Sequence, residues 1–302
     1  MLVAENLAVH FRKGISRQKI NALDGLSLRI QEGEFFALLG QNGAGKSTAM
    51  YCFLGLLRPT SGSVRVFGET PRPGSEIFSR ISYLPEDPHY HLYLTVGEAL
   101  DYYAALYRSS LTEAERRALL DRFGLLEFRD LKLAKCSKGM KQKLGIAQCL
   151  LIRPKLMFLD EPMRGLDPLA VRTFRDILVS LHREGTTIVM NSHIMAEIEM
   201  VATRAAILDR GRLVAEDRVE NLTRLAEEVY GVEFEGNGSL PECVSVSKTT
   251  GTTVQGTVAA ADLYPFLDFA RSNGLKVLSC SLKKATLEES FLSILEAQRA
   301  RT

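Results

Sequence analysis

Short apolar runs alternate with stretches whose apolar residues recur every three or four positions along the first part of the chain. The runs at 2–11, 26–30, Phe35–Leu39, Ile81–Leu84, 156–159, 187–190 and 205–208 predict strands. Strands separated by helical patterns imply a parallel sheet covered by helices. Between about Thr95 and Leu151 the pattern turns wholly helical, with Leu100, Tyr103, Leu106 and Tyr107 on one face. Thr112 followed by Glu115 forms a capping box that opens a second helix there. Arg210-Gly211-Arg212 predicts a tight turn, and with it a small hairpin that closes the first domain.

After about Leu225 the texture changes. Residues 229–235 alternate, Gly236-Asn237-Gly238-Ser239 breaks the alternation, and Thr249 to Thr253, around Gly251, reads as another turn. Residues 262–272 read as a helix with Leu263, Phe266, Leu267 and Ala270 on one face, ended by Gly274. A strand is expected at 276–282, then a helix capped by Thr286 and Glu289 with the stripe Leu287, Phe291 and Leu295. The expected division is a first domain at 1–225, holding a helical subdomain at about 95–151, and a second at 226–302.

Composition narrows the class of function. Apolar residues make up 46% and charged residues 25% of 302, as in an ordinary globular chain, and a net charge of +2 gives no global case for nucleic-acid binding. No basic segment leads into an apolar core at the N-terminus, so no signal peptide is expected, and no apolar window is long enough to predict a membrane span. Cys52, Cys136, Cys149, Cys243 and Cys280 include no Cys-x-x-Cys pair and are expected as free, buried or half-buried thiols in a reducing compartment.

The chemistry starts at Gly40-Gln41-Asn42-Gly43-Ala44-Gly45-Lys46-Ser47-Thr48, a phosphate-binding loop between a buried strand and an apolar helix. Small residues let the N–H groups of Asn42, Gly43, Ala44 and Gly45 close around phosphate oxygens, and the helix opening at Ser47 and Thr48 points its positive end at them. Lys46 is placed for the β- and γ-phosphates, and the Ser47 hydroxyl for Mg²⁺. Further on, the apolar run 156–159 ends in Asp160-Glu161, where Asp160 suits the Mg²⁺ shell and Glu161 an attacking water.

Cys136-Ser137-Lys138-Gly139-Met140, after the helical block and before the Asp-Glu strand, resembles the signature motif of ABC transporter ATP-binding subunits. Gly165-Leu166-Asp167-Pro168 resembles that family's D-loop, and Asn191-Ser192-His193 its switch histidine. The resemblance covers about residues 1–225. It implies an α/β fold: a P-loop NTPase core with a mixed sheet and an inserted helical subdomain, joined here to a small α+β C-terminal domain. The implied activity is ATP hydrolysis that powers a separate membrane permease, with export as the expected direction. A non-transport ABC ATPase, such as an assembly subunit, is the alternative.

The resemblance also implies roles. Glu161 becomes the general base, His193 the group that orients the water and the γ-phosphate, and Lys46 the neutralising cation. Ser137 and Gly139, at the start of a helix, form an anion site for the γ-phosphate held by a second copy, or a homologous ATPase subunit, in a head-to-tail dimer. Asp167 links the two sites, and Phe11 stands where relatives stack an aromatic on adenine, though a core position serves it equally. The cofactors are ATP and Mg²⁺, and the place is the cytoplasmic face of a membrane. Lys132, Lys135, Lys138, Lys141 and Lys143 read either as a solvated face or as a positive field toward the partner's ATP.

One position departs from the family. Glu86 stands where Gln is usual, and as a carboxylate it remains an acceptable Mg²⁺ ligand. His89 and His91, expected on one strand face, are too few for a metal site, and the segment around them is expected to offer an aromatic surface to the permease. The tail resembles the C-terminal extension of drug, polysaccharide and sodium exporter ATPases, on the motif Leu287-Glu288-Glu289-x-Phe291-Leu292.

Overall fold

The computed structural model describes residues 1–13, 18–223, 229–236, 241, 243–283 and 286–299. The chain divides into two compact units, one of Met1–Val219 with the segment from Ile294 onward, the other Glu220–Ser293. The expected boundary at 225/226 and the break at 237–239 lie outside the described residues.

In the first unit, β1 (Leu2–Lys13) pairs antiparallel with β2 (Gln18–Ile30). β3 (Phe35–Leu39) runs into the Gly-rich loop and then α1 (Lys46–Phe53). β4 (Ser61–Val66) returns antiparallel to β1 and completes a three-stranded sheet. Neither β4 nor the first half of β2 is predicted from the sequence. In β4 only Val64 and Val66 are buried, after Ser61, Gly62 and Ser63, residue types that seldom signal a strand. Its pairing with β1 supplies what its local pattern lacks.

Next come β5 (Ile81–Leu84), α2 (Val96–Leu106), α3 (Glu113–Arg122), α4 (Lys138–Leu150) and β6 (Leu156–Asp160). They are followed by α5 (Pro168–Arg183), β7 (Thr187–Ser192), α6 (Met195–Val201), β8 (Arg204–Asp209) and β9 (Arg212–Arg218). A sheet of order β5-β6-β7-β3-β8-β9 results, parallel as far as β8 and closed by antiparallel β9, so it is mixed. Every residue of β3, β6 and β7 is buried, which explains their unbroken apolar runs: both faces are covered.

Alternation within β3 divides its side chains between two cores. Phe36 and Leu38 join Met50 and Phe53 of α1, and Leu2, Leu7, Leu23 and Leu26 of the antiparallel sheet. Phe35 turns the other way and meets the His182 ring of α5 edge-on at 5.8 Å. Burying each such side chain contributes about 1.5–3 kcal/mol, so the loops at the sheet's edge stand on a rigid base. In the helical block, Thr95 with Glu98 and Thr112 with Glu115 both form capping boxes. The expected stripe on α2 is buried only in part. Leu100 is buried, whereas Leu106 and Tyr107 are exposed where the helix ends.

The second unit opens with the single turn α7 (Val219–Leu222), which straddles the division. Its sheet holds β10 (Val229–Glu235), β11 (Ser245–Thr250), β12 (Thr253–Ala259) and β13 (Lys276–Lys283) in the order β11-β12-β10-β13, all antiparallel. α8 (Leu263–Ser272) seats Phe266 and Ala270 on Val232, Phe234, Val254 and Val258, with the Phe234 and Phe266 rings 5.5 Å apart. α9 (Leu287–Arg299), which spans the division after Ser293, buries Leu287, Phe291 and Leu295, and Thr286 and Glu289 exchange the expected capping hydrogen bonds. Cys52, Cys136 and Cys149 are buried free thiols, with burial pushing Cys149 up to about 12. Cys280 departs from expectation because β13 is an edge strand that leaves it exposed.

Candidate functional site

Three neighbouring parallel strands carry the site. β6, β7 and β3 lie side by side, with Asp160 opposite Asn191 and Leu39 opposite Ser192. Their C-terminal ends therefore deliver the Gly-rich loop, Asp160-Glu161 and His193 to one edge of the sheet, where α/β folds bind ligands.

The Gly-rich loop is shaped by close backbone approach. A Cβ at Gly40 would stand 2.4 Å from the Leu208 carbonyl oxygen, and one at Gly45 2.4 Å from that of Ala22. Both glycines hold positive φ, +153° and +103°. α1 starts at Lys46 with no side-chain cap and no acidic residue in its first turn, so its first N–H groups point to an anion.

A cleft of about 310 Å³ opens on this loop. It is lined by the loop from Asn42 to Thr48, by Ile20, Asn21 and Ala22 of β2, and by Glu86, Glu161, Arg164 and His193. Lys46 is buried, its Nζ donating to the carbonyls of Gly40 at 2.6 Å and Gln41 at 3.4 Å. Burial lowers its pKa, while Glu161 and Asp160 pull it back up.

Glu161 occupies a left-handed backbone with φ 46°, held by its N–H donating to the Asn191 carbonyl at 3.0 Å. Its Oε2 lies 2.8 Å from His193 Nδ1, which leaves Nε2 for a phosphate oxygen. Asp160 is buried below the cleft and accepts from Asn191 Nδ2 at 3.2 Å. Its carboxyl is pushed up, first by burial and then by Glu161 and Glu86, against the lowering by Asn191 and Lys46. Burial foremost, then Asp160, raises the neighbouring Tyr83 hydroxyl.

The donor set fits Mg²⁺. Ser47, Asp160 and Glu86 are hard oxygen donors, and the like charges of Glu161 and Glu86 acting on Asp160 are ones a divalent cation would offset. Among the described residues no three His, Cys, Asp or Glu side chains form a metal cage. An ion bound here would need phosphate oxygens to complete its shell, the usual manner for magnesium.

Other expected site residues stand elsewhere. Phe11 is 42% exposed, which removes the core reading, and it pairs across the strands with Ile20, itself on the cleft wall. Ser137 caps α4 through Met140 N–H at 3.2 Å, and Asp167 caps α5 through Ala170 N–H at 2.9 Å. A Cβ on Gly139 would stand 3.6 Å from that of Ala170, so the two helix starts adjoin. Ser137, Gly139 and Asp167 are not on the cleft wall. His89 and His91 follow β5 in a loop, not a strand. The His91 ring packs 5.5 Å from Tyr93 and 5.7 Å from Tyr102, within an aromatic group. Lys132, Lys135 and Lys138 are exposed, and Lys141 and Lys143 half-buried.

Arg164 and Asn191 had no role from the sequence. Asn191 lies in the Asn-Ser-His segment, and its burial on β7 opposite Asp160 assigns it the carboxylate's orientation. Arg164 carries no sequence signal at all. The fold brings it to Glu86.

Comparison with known proteins agrees with this architecture. A family profile described as ABC transporter matches residues 23–164. An uncharacterized ABC transporter ATP-binding protein of Nostoc sp. is 36% identical over 99% of this chain and 90% of its own. A fluoroquinolones export ATP-binding protein of Mycobacterium tuberculosis is 33% identical over 90% of this chain and 87% of its own. The solved structure of an ATP binding subunit of an ABC transporter, 33% identical, superposes with a TM-score of 0.63 over 74% of this chain and 91% of that one.

Proposed function

The chain belongs to the family of ABC transporter ATP-binding proteins, and from that premise we propose that its Lys46 cleft hydrolyses Mg²⁺-bound ATP against the Ser137–Gly139 segment of a second copy. The protein is an ATPase whose turnover powers a separate permease within a transporter complex. The observation that carries the residue-level reading is the Glu161–His193 contact in the cleft that Lys46 also lines.

In this reading the N–H groups of Asn42, Gly43 and Gly45 to Thr48 cradle the phosphates, while the Ala44 N–H, expected among them, donates to the Gln41 carbonyl at 3.0 Å and shapes the loop. Lys46 neutralises charge as the γ-phosphate bond breaks. Glu161 is the general base toward the attacking water, and His193 orients Glu161 and the phosphate. Ser47, Asp160 and Glu86 are the side chains that would hold Mg²⁺, which when bound draws charge from the phosphate oxygens. Phe11, beside Ile20, is the surface for adenine.

Ser137, Gly139 and Asp167 lie outside the cleft, which supports a site completed by a second subunit, head to tail. The exposed Leu92, Tyr93 and Tyr102 support a docking surface for the permease. Among the described residues no helix is long and apolar enough to cross a membrane. The protein then works on the cytoplasmic face, and the relative's export role favours export. Residues 226–302 are assigned as an accessory domain that stabilises the dimer or regulates hydrolysis.

Glu161→Gln tests the core of this reading. Turnover should fall by about 10²–10⁴-fold, while ATP drives the variant into a dimer on size exclusion. A fully active variant would remove Glu161 from the role of base.

A further inference from the structure

We propose that Arg164 is a positioning residue which, by pairing with Glu86, presents the arriving triphosphate with a neutral pair where a free carboxylate would repel it. This rests on reading the Lys46 cleft as the ATP site.

Arg164 Nη1 meets Glu86 Oε1, and both residues line the same cleft as Lys46. The two side chains are 54% and 34% exposed, so the pair stands at the mouth and not in the core. Both backbones are anchored. The Glu86 carbonyl accepts from Gln142 Nε2 of α4 at 3.0 Å, and Gln142 is itself buried. The Arg164 N–H donates to the Glu161 carbonyl at 3.1 Å, in the turn that follows β6. The backbones of both partners are thus held at the cleft, and Arg164 stands three residues beyond the proposed base.

Charge balance supplies the reason. Glu86, Glu161 and Asp160 crowd this end of the cleft, and Glu86 is one of the charges that act on Asp160. Lys46 and Arg164 are the Lys and Arg side chains on the described cleft wall. Without Arg164, Lys46 alone would offset three carboxylates before a polyanion enters. A second pair, Lys138 Nζ to Asp87 Oδ1 at 3.6 Å, braces the same loop against the start of α4.

The test is ATP binding by the purified full chain in EDTA, by equilibrium dialysis, for the parent, Arg164→Gln, Glu86→Gln, the double variant and Arg164→Lys. Loss of the compensating charge should raise the ATP Kd about tenfold in Arg164→Gln at low salt, and less at high salt where charges are screened. Glu86→Gln should bind at least as tightly as the parent, the double variant should match Glu86→Gln, and Arg164→Lys should stay within about threefold. An unchanged Kd in Arg164→Gln overturns the proposal. So does an equal loss with and without Glu86, which would make Arg164 a direct phosphate ligand. Failure of the parent chain to bind ATP even when Mg²⁺ is restored would instead overturn the reading of the cleft.

Discussion

His193 Nδ1 lies 2.8 Å from Glu161 Oε2, although the two residues leave different strands, β7 and β6. The backbone N–H of His193 also approaches the same carboxylate oxygen, at 3.4 Å. The ring thus fixes the carboxylate that would polarise water, and its Nε2 is left for another partner. His193→Ala should lower turnover by about 10²-fold or more while changing the Kd for ATP by less than about threefold. Single-turnover hydrolysis beside equilibrium binding separates the two effects. Equal loss in both would make His193 a binding residue only.

Gly45 holds φ +103° with the Ala22 carbonyl oxygen 2.4 Å from any added Cβ. Gly45→Ala should destabilise the fold by about 2 kcal/mol or more, through strain and displaced backbone. It should also abolish ATP binding, because the loop and the start of α1 move together. Urea unfolding reads the first effect and dialysis the second. A stable variant with parental affinity would show that the loop tolerates what its geometry forbids.

Asp160 carries a sign that can be checked. Its folded-state pKa is raised, so the folded chain keeps the proton to higher pH than the unfolded chain does. Stability attributable to this group falls as pH rises from the ordinary aspartate value through the raised one, and the penalty is complete above it. In EDTA without nucleotide, Asp160→Asn should be more stable than the parent at pH 7, with the difference vanishing at acid pH. The same variant should lose the Mg²⁺ dependence of ATP binding. Urea midpoints across pH decide the first point, and an Asp160→Asn chain less stable at neutral pH would reverse the argument.

Tyr93 is 70% exposed and stacks near the His91 ring without entering the core. Tyr93→Glu should leave the hydrolysis of the isolated chain within about twofold, since surface changes seldom alter stability by more than about 0.5 kcal/mol. Recovery of the chain with membranes should drop at least about tenfold if this patch meets the permease. Undiminished recovery would move the docking surface elsewhere.

Much of the first unit was legible because its signals are local. Residues 35–39 and 156–159 are continuous apolar runs since both sheet faces are covered, and the Gly-rich loop is defined by backbone shape over a few positions. The capping boxes at Thr112 and Thr286 are likewise closed within one turn. By contrast, β4 is a strand because β1 offers it a partner, and the aromatic residues at 90–93 form a loop because Tyr102 and Tyr103 of α2 are there to pack on.

By itself, then, the sequence determined the family, since the Gly-rich loop, the acidic strand end and the Asn-Ser-His segment that signal it are each written in neighbouring residues. Only the tertiary structure decided that Asn191 orients Asp160, that Arg164 pairs with Glu86, and that Ser137 and Gly139 stand outside the cleft. Those relations depend on strand order. Placing β7 between β6 and β3 is an outcome of packing the whole sheet, and no local spacing of residues encodes it.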